Sequence, residues 1–303
     1  MLPEAVLNVK AHMRIRTILL QGSSVKSLTF LGDMFDGVQC PCILLQLVAT
    51  GKPLSTAGMM IEDRTRTFII AMERTVVPEN FSFRMTDEEY RVLEKIKNSI
   101  PVCYLADHAD FALGIVTGNN KKFLSAEKTE HSEMVLKGTD ICKYHINPAK
   151  QYLRFEPEQF QQVAPLEIYR APEKLLYRFI SNQLVVAYDD RQMLSLNSCN
   201  IVIPKIEGMQ IKYILAILNS SVSQFVYQKE FHSIKVLRAH MEHIPIPRVG
   251  KAIQNEIIAM TEPLICGMGK EAAETCQKRL DCRIMDLFRL SAEEQWIIRH
   301  ALH

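Results

Sequence analysis

Residues 39 to 48 read Gln-Cys-Pro-Cys-Ile-Leu-Leu-Gln-Leu-Val, a run that is apolar at nearly every position. A strand with one wet face alternates apolar and polar residues, whereas a strand covered on both faces has this nearly continuous composition. The run is far shorter than the ~20 residues that cross a bilayer, so it is expected inside a soluble sheet. Ser27 to Leu31 and Thr65 to Met72 read as companion strands, with the turn-rich segment TGKPLSTAG preceding the last of them. Residues 3 to 20 place Val6, Val9, Met13 and Leu19 at roughly helical spacing among Lys10, Arg14 and Arg16, the pattern of an amphipathic helix. These elements look like the closing strands of a larger sheet that lacks its preceding βα units. The start has neither a basic segment nor a continuous apolar stretch after it, so no secretory signal is expected.

Thr86-Asp-Glu-Glu89 is a capping box, and Tyr90, Leu93 and Ile96 follow on one face, which predicts a helix over 87–98. Pro101 stops it. Short β-like runs then appear at Ala112 to Val116, Val185 to Tyr188 and Asn200 to Ile203, separated by polar turns. Met209 to Leu218 and Val222 to Tyr227 are apolar enough for packed helices, and Pro245-Ile-Pro247 closes that section. From about 252 the pattern is helical to the end, with Ile253, Ile257, Met260 and Leu264 on one stripe and a second capping box at Ser291-Ala-Glu-Glu294.

Composition excludes little about partners. Lys and Arg number 36 against 34 Asp and Glu, a net +2, so any anion-binding surface must come from local clustering. Eight scattered cysteines without a CxxC pair suggest reduced thiols in a cytoplasm. Cys40-Pro-Cys42 is too tight for the usual zinc spacing. His240-Met-Glu-His243 could place two imidazoles on one helix face, but no third ligand is recognisable, and a pair at a helix end before Pro245 fits better.

The stretch GIVTGNNKKFL, residues 114–124, brackets two asparagines and two lysines with glycines and apolar runs. Three residues separate its glycines and Asn119 follows the second, so it is not a nucleotide-binding P-loop. A loop contacting nucleic-acid phosphates needs only exposed amides and cations, and so does an ordinary solvated turn.

Five phrases in order resemble one family: ALGIVTGNNKKFL (112–124), LKGTDICKYHI (136–146), PEKLLYRFISNQLVVAYDDRQMLSLNSCNIVIP (172–204), ILAILNSSVSQFVYQ (214–228) and MEHIPIP (241–247). They are similar to the TaqI-like C-terminal specificity domains, the target-recognition parts of DNA adenine-N6 methyltransferases and of fused restriction-modification enzymes. LDCRIMDLFRLSAEEQWII (280–298) resembles the helical segment that often closes such proteins, and residues 1–75 resemble the last strands of the family's catalytic domain. The family's glycine-rich S-adenosylmethionine loop and its Asn/Asp-Pro-Pro-Tyr/Phe motif, which grips a flipped adenine, have no counterpart, since no Pro-Pro dipeptide occurs.

The resemblance implies an α/β chain with a truncated sheet edge of a methyltransferase domain (1–75), a connecting helix (76–100), a mixed α/β target-recognition domain (101–250) and a helical tail (251–303). It implies double-stranded DNA as partner, a methyltransferase catalytic domain or subunit as a second one, and no membrane. S-adenosylmethionine is expected only in the complete enzyme, and this chain is expected to be inactive by itself. The DNA-facing candidates are Thr117, Asn119, Asn120, Lys121 and Lys122 in the loop, Lys143, and Arg191 after an Asp-Asp turn. Arg170, Lys174 and Arg178 join them because a helix over 172–180 would put them on one face. Phe123 and Phe225 read as core. Two other readings are compatible with the residues: a methyltransferase with divergent motifs, and a protein-interaction subunit docking through its helical tail.

Overall fold

The apolar run lies in a five-stranded sheet. β1 (Leu2–Pro3) precedes two short 3-10 turns and α1 (Met13–Gly22), after which β2 (Ser23–Asp33), β3 (Pro41–Ala49), β4 (Met59–Glu62) and β5 (Thr67–Ile70) complete the order β1-β3-β2-β4-β5. The β2·β4 pair is parallel and the rest are antiparallel. The computed structural model describes every residue except 39, 79, 80, 82, 232 and 303, so the Gln39 start expected for the second strand lies outside the described residues. Leu28, Phe30, Ile43, Met59, Ile61 and Ile70 pack with Leu7, Phe81 and Phe83 on the inner face.

Three expectations need correction in this region. The amphipathic helix begins at Met13 rather than near residue 3, because the buried Arg16 guanidinium folds back onto the carbonyls of Val6 (2.7 Å) and Val9 (2.9 Å) and holds the preceding segment in 3-10 turns. β4 is an additional strand between the turn-rich segment and the expected third strand. β3 is not buried on both faces: Leu44, Leu47 and Val48 are 49%, 39% and 45% exposed. Register explains the exposure of Leu44 and Val48, since Leu44 lies beside Thr29 and Glu62, and Gln46 beside Ser27, Met60 and Ile69, on an outer face that no described element covers. β1 pairs with β3 only at Cys42 and Ile43, so the edge from Leu44 to Ala49 has no strand partner on that side among the described residues.

α2 (Asp87–Asn98) starts where its capping box predicts: the Thr86 hydroxyl accepts from Glu89 N (3.3 Å) and Thr86 N donates to the Glu89 carboxylate (2.9 Å). β6 (Val102–Cys103), β7 (Ala109–Ala112), α3 (Asn120–Phe123), β8 (Leu124–Ser125), β9 (Glu133–Leu136), β10 (Tyr152–Leu153) and α4 (Leu166–Tyr169) follow. Then come β11 (Lys174–Arg178), β12 (Val186–Asp189), β13 (Leu194–Ser195), β14 (Cys199–Pro204), α5 (Ile211–Asn219), α6 (Ser221–Glu230), α7 (Arg238–Glu242) and β15 (Ile246–Pro247). The tail is α8 (Lys251–Cys266), α9 (Lys270–Leu287) and α10 (Ala292–Ala301), the last capped by the Ser291/Glu294 box. Among the described residues no helix is long and apolar enough to cross a membrane.

The chain divides into two units, Met1–Leu93 with Lys229–Phe231, and Glu94–Gln228 with His232–His303. In the second, one sheet has the order β12-β11-β14-β7 and another β13-β9-β10-β8, around a shared core that includes Ile115, Leu136, Leu176, Ala187, Leu196 and Ile201. The outer side of β12 is sealed by side-chain amides. Asn219 accepts from Val186 N (3.1 Å) and donates to Val186 O (2.8 Å), and Gln224 does the same for Leu184 at 2.9 Å each way. Two buried amides thus stand in for a missing strand, which leaves no backbone group of that edge unmet at these positions. α5 packs on this sheet and on α8, where Gln254 Oε1 accepts from Gln210 N (2.8 Å).

In the first unit, the Arg74 guanidinium meets Asp87 at 2.6 Å and also donates to Met85 O, while Asp87 accepts from Ala71 N (2.8 Å). Burial works to raise the Asp87 carboxyl, but Arg74 and the Ala71 and Met72 amides outweigh it and hold it below its ordinary value. With the folded pKa depressed, this stabilisation is complete above the unfolded carboxylate pKa and is lost as pH falls through the folded value. Asp87→Asn, which strands a buried guanidinium, is expected to cost about 3–5 kcal/mol and to flatten the acid side of the stability profile. Urea unfolding between neutral and acidic pH measures this, and an unchanged profile contradicts it.

Candidate nucleic-acid interface

Gly114 is fixed by a close approach of two chain segments. A Cβ there would stand 2.1 Å from the Leu196 carbonyl oxygen and 2.7 Å from that of Cys199, so no other residue fits. This lets Ile115 N donate to Ser195 O (2.7 Å) and Val116 exchange backbone bonds with Gln162 (2.9 and 3.1 Å). The strand expected over 112–116 is therefore displaced: β7 ends at Ala112, and 115–116 make only isolated bridges. Gly118, at φ +76°, then turns the chain outward.

The loop beyond Gly118 is ordered from within. The buried Thr117 hydroxyl donates to Asn120 Oδ1 (2.6 Å), and Asn119 Oδ1 accepts from Lys122 N (3.2 Å) to cap α3. Phe123 anchors the far end, edge-on to Phe160 with ring centres 5.3 Å apart. Asn119, Asn120, Lys121 and Lys122 remain exposed, and neither lysine makes an ion pair among the described residues; Lys122 lies over the Phe123 ring at 4.6 Å. An exposed amide and cation set on a pinned loop is suited to phosphate and base-edge contacts.

The other candidates divide. Residues 172–180 are not helical, and the face shared by Arg170, Lys174 and Arg178 does not exist. Lys174-Leu-Leu-Tyr-Arg178 is β11, a central strand paired with β12 and β14, where tertiary pairing overrides four-residue spacing. Lys174 is fully buried and cannot reach a phosphate: its ammonium meets Asp189 (2.6 Å) and Tyr169 O (2.6 Å). Burial draws Lys174 below its ordinary pKa and Asp189 pulls the other way. Arg178 donates to the carbonyls of Gly138 (3.0 Å) and Ile141 (2.5 Å), and Arg170 pairs with Glu133 (2.5 Å) while donating to Gln192 O (2.6 Å). Arg191 is exposed in the expected turn, whose amides at 191 and 193 donate to the Asp189 carboxylate (2.8 and 3.0 Å). Lys143 lines a cavity away from the loop and donates to Asn219 O (3.3 Å). His240 serves as a helix cap, its Nδ1 accepting from Leu237 N (3.2 Å), and burial drops it to about 4.

Sequence reasoning missed a groove of about 480 Å³ lined by Lys137, Thr139, Asp140, Asn147, Lys150 and Gln151. Lys137 follows β9 and Lys150 precedes β10, and these strands pair antiparallel at Met134 and Tyr152, which brings the two lysines to one sheet end. Neither makes an ion pair among the described residues, and Gln151 Oε1 is buried without a partner. Arg178 props the 138–141 turn beneath the groove. The two lysines are 13 positions apart, and only the pairing joins them.

These roles separate by stability. Lys174→Ala, which leaves Asp189 buried and unpaired, is expected to cost about 3–5 kcal/mol, whereas Lys121→Ala should stay within about 0.5 kcal/mol. Guanidinium unfolding of both variants measures the difference, and equal costs would contradict the division.

Residues 133–246 match the family model of the TaqI-like C-terminal specificity domain. Among solved structures, the type IIL restriction-modification enzyme MmeI, in complex with DNA, superposes with a TM-score of 0.60 at 10% identity over 99% of this chain and 48% of that one. The DrdV–DNA complex gives 0.49 at 9% identity over 86% of this chain and 37% of that one. The type IIG restriction endonuclease BpuSI gives 0.43 at 11% identity over 99% and 45%. No curated protein matches the chain. The chain spans about half the length of the MmeI chain. Residues 133–246 are thus similar to a TaqI-like C-terminal specificity domain, and the mixed α/β fold of the chain is shared with part of MmeI.

Proposed function

We propose that this chain is the sequence-recognition portion of an adenine-N6 DNA methyltransferase or restriction-modification enzyme, and that it binds duplex DNA without catalysing a reaction alone. The observation that carries this reading is the specificity-domain match at 133–246, next to a pinned loop whose lysines at 121 and 122 have no counter-ion among the described residues. Lys121 and Lys122 are the phosphate contacts, with Asn119 and Asn120 beside them, and the Lys137–Lys150 groove supplies Thr139, Asn147 and Gln151 as groups able to read base edges. Arg191 is a further phosphate contact. Thr117 acts through Asn120, whose amide it orients. Arg170 and Arg178 support the surface through the bonds described above.

The ends of β1 and β2 do not fit S-adenosylmethionine. β1 leads into a 3-10 turn at Glu4–Leu7 and β2 into the turn before β3, and neither offers a glycine-rich loop opening a helix. The cofactor and the base-flipping motif are assigned to a partner catalytic domain or subunit. The first unit is its docking element: among the described residues the β3 edge from Leu44 to Ala49 is unpaired on the β1 side, and Leu44, Met60 and Ile69 are exposed on the outer sheet face. A free apolar edge of this kind favours pairing with another strand.

Fluorescence anisotropy of the chain with random-sequence duplex at several salt concentrations tests the reading. Affinity should fall with salt, and replacing Lys121 and Lys122 together with Ala should weaken binding and flatten the slope by up to about one for each phosphate no longer neutralised. Salt-sensitive binding with an unchanged slope in the variant would remove the loop from the interface, and absence of binding even at low salt would contradict recognition by this chain alone.

A further inference from the structure

A cavity of about 530 Å³ lies within the second unit, between the Lys143 turn, the first turn of α6 and the facing sides of α9 and α10. Lys143, Lys278, Arg299 and Asp281 line it, so its formal charge is positive. The single carboxylate is already engaged: Asp281 accepts from Ser221 N (2.8 Å) and acts on Lys143. Burial raises the Asp281 carboxyl and lowers Lys143, with each partner opposing the other's shift.

The cations have capacity to spare. Lys278 makes no ion pair among the described residues, and Arg299 donates to Gln295 Oε1 (3.1 Å) and lies against the Cys282 sulfur (3.4 Å), meeting no carboxylate among the described residues. Ser221 Oγ on the wall, the Tyr144 hydroxyl and Gln277 Nε2 are buried without a hydrogen bond of full geometry; Ser221 and Gln277 both lean on the Asp281 carboxylate, and Gln277 on Tyr144.

The backbone is strained to present Lys143. Tyr144 has φ +73°, a left-handed conformation unfavourable to a side chain, and is held there by Tyr144 N donating to Val186 O (2.7 Å) and Tyr188 N to Tyr144 O (3.2 Å). Such strain concentrates at functional sites. Net positive charge with surplus donors matches an acceptor-rich anion.

We propose that this cavity binds a phosphate group, with Lys143, Lys278 and Arg299 as its cations and Ser221 Oγ as a neutral donor. The volume admits a ligand of nucleotide size. The site is separate from the loop and groove assigned to DNA, and the inference does not rest on that assignment. The phosphate could be carried by a free nucleotide or by a nucleic-acid backbone, and these sources are distinguishable.

Cys282 is an exposed thiol on the cavity wall, and Cys266, also exposed, lies outside it as an internal reference. The test is alkylation of the full chain with iodoacetamide at constant ionic strength, with both cysteines quantified by peptide mass spectrometry. Inorganic phosphate, ATP and random-sequence duplex are the probes. Slower alkylation of Cys282 with Cys266 unchanged is expected, and Lys278→Gln, which breaks no ion pair among the described residues, should raise the half-protecting concentration roughly tenfold or more. Protection by phosphate or ATP identifies a free ligand, and protection by duplex alone identifies the backbone, provided that Lys278→Gln weakens it. Protection that the variant leaves unchanged, or none at millimolar probe, overturns the proposal.

Discussion

The buried Lys174–Asp189 pair is the constraint on which the exposed 117–122 loop depends. Opposite charges removed from water contribute little net stability, yet losing one partner is costly, so the pair acts mainly by fixing geometry. Lys174 ties β11 to Asp189 and to Tyr169 O, and Asp189 in turn collects the amides of Arg191 and Met193. The turn so fixed delivers β13 beside β9, and the Ser195 carbonyl of β13 accepts Ile115 N. From there three residues lead to Gly118 and the exposed lysines. The Tyr169 hydroxyl closes the circuit by donating to Leu113 O (3.3 Å). A surface loop is thereby held by a chain of bonds that begins at a fully buried cation.

What was legible in the sequence was local. The α2 and α10 starts follow from Thr86/Glu89 and Ser291/Glu294, because a capping box satisfies its own amides within one turn. Lys174 was misread because its spacing from Arg170 and Arg178 suits a helix face, and nothing nearby marks it as a buried strand lysine; Asp189 is 15 positions away. Asn219 and Gln224 were visible only as part of a family phrase, and their role depends on Val186 and Leu184 across the fold. The 114–124 loop was partly legible: Gly118 and Asn119 are turn formers where they stand, whereas Gly114 is required by Leu196, far along the chain.

The β3 run shows the opposite error. Its composition predicts cover on both faces, while the described elements cover one. The uncovered face fits the role proposed for the first unit as a docking element. Specificity and chemistry would then be divided between separately folded parts, with sequence reading placed where the core is densest and its loop best pinned.

We infer that this chain reads DNA sequence. The most direct test is selection of bound duplexes from a fully random pool by the purified chain, followed by sequencing of what is retained. The account predicts enrichment of one short motif over successive rounds. Retention of DNA with no enriched motif would contradict it, since phosphate attraction alone carries no sequence information.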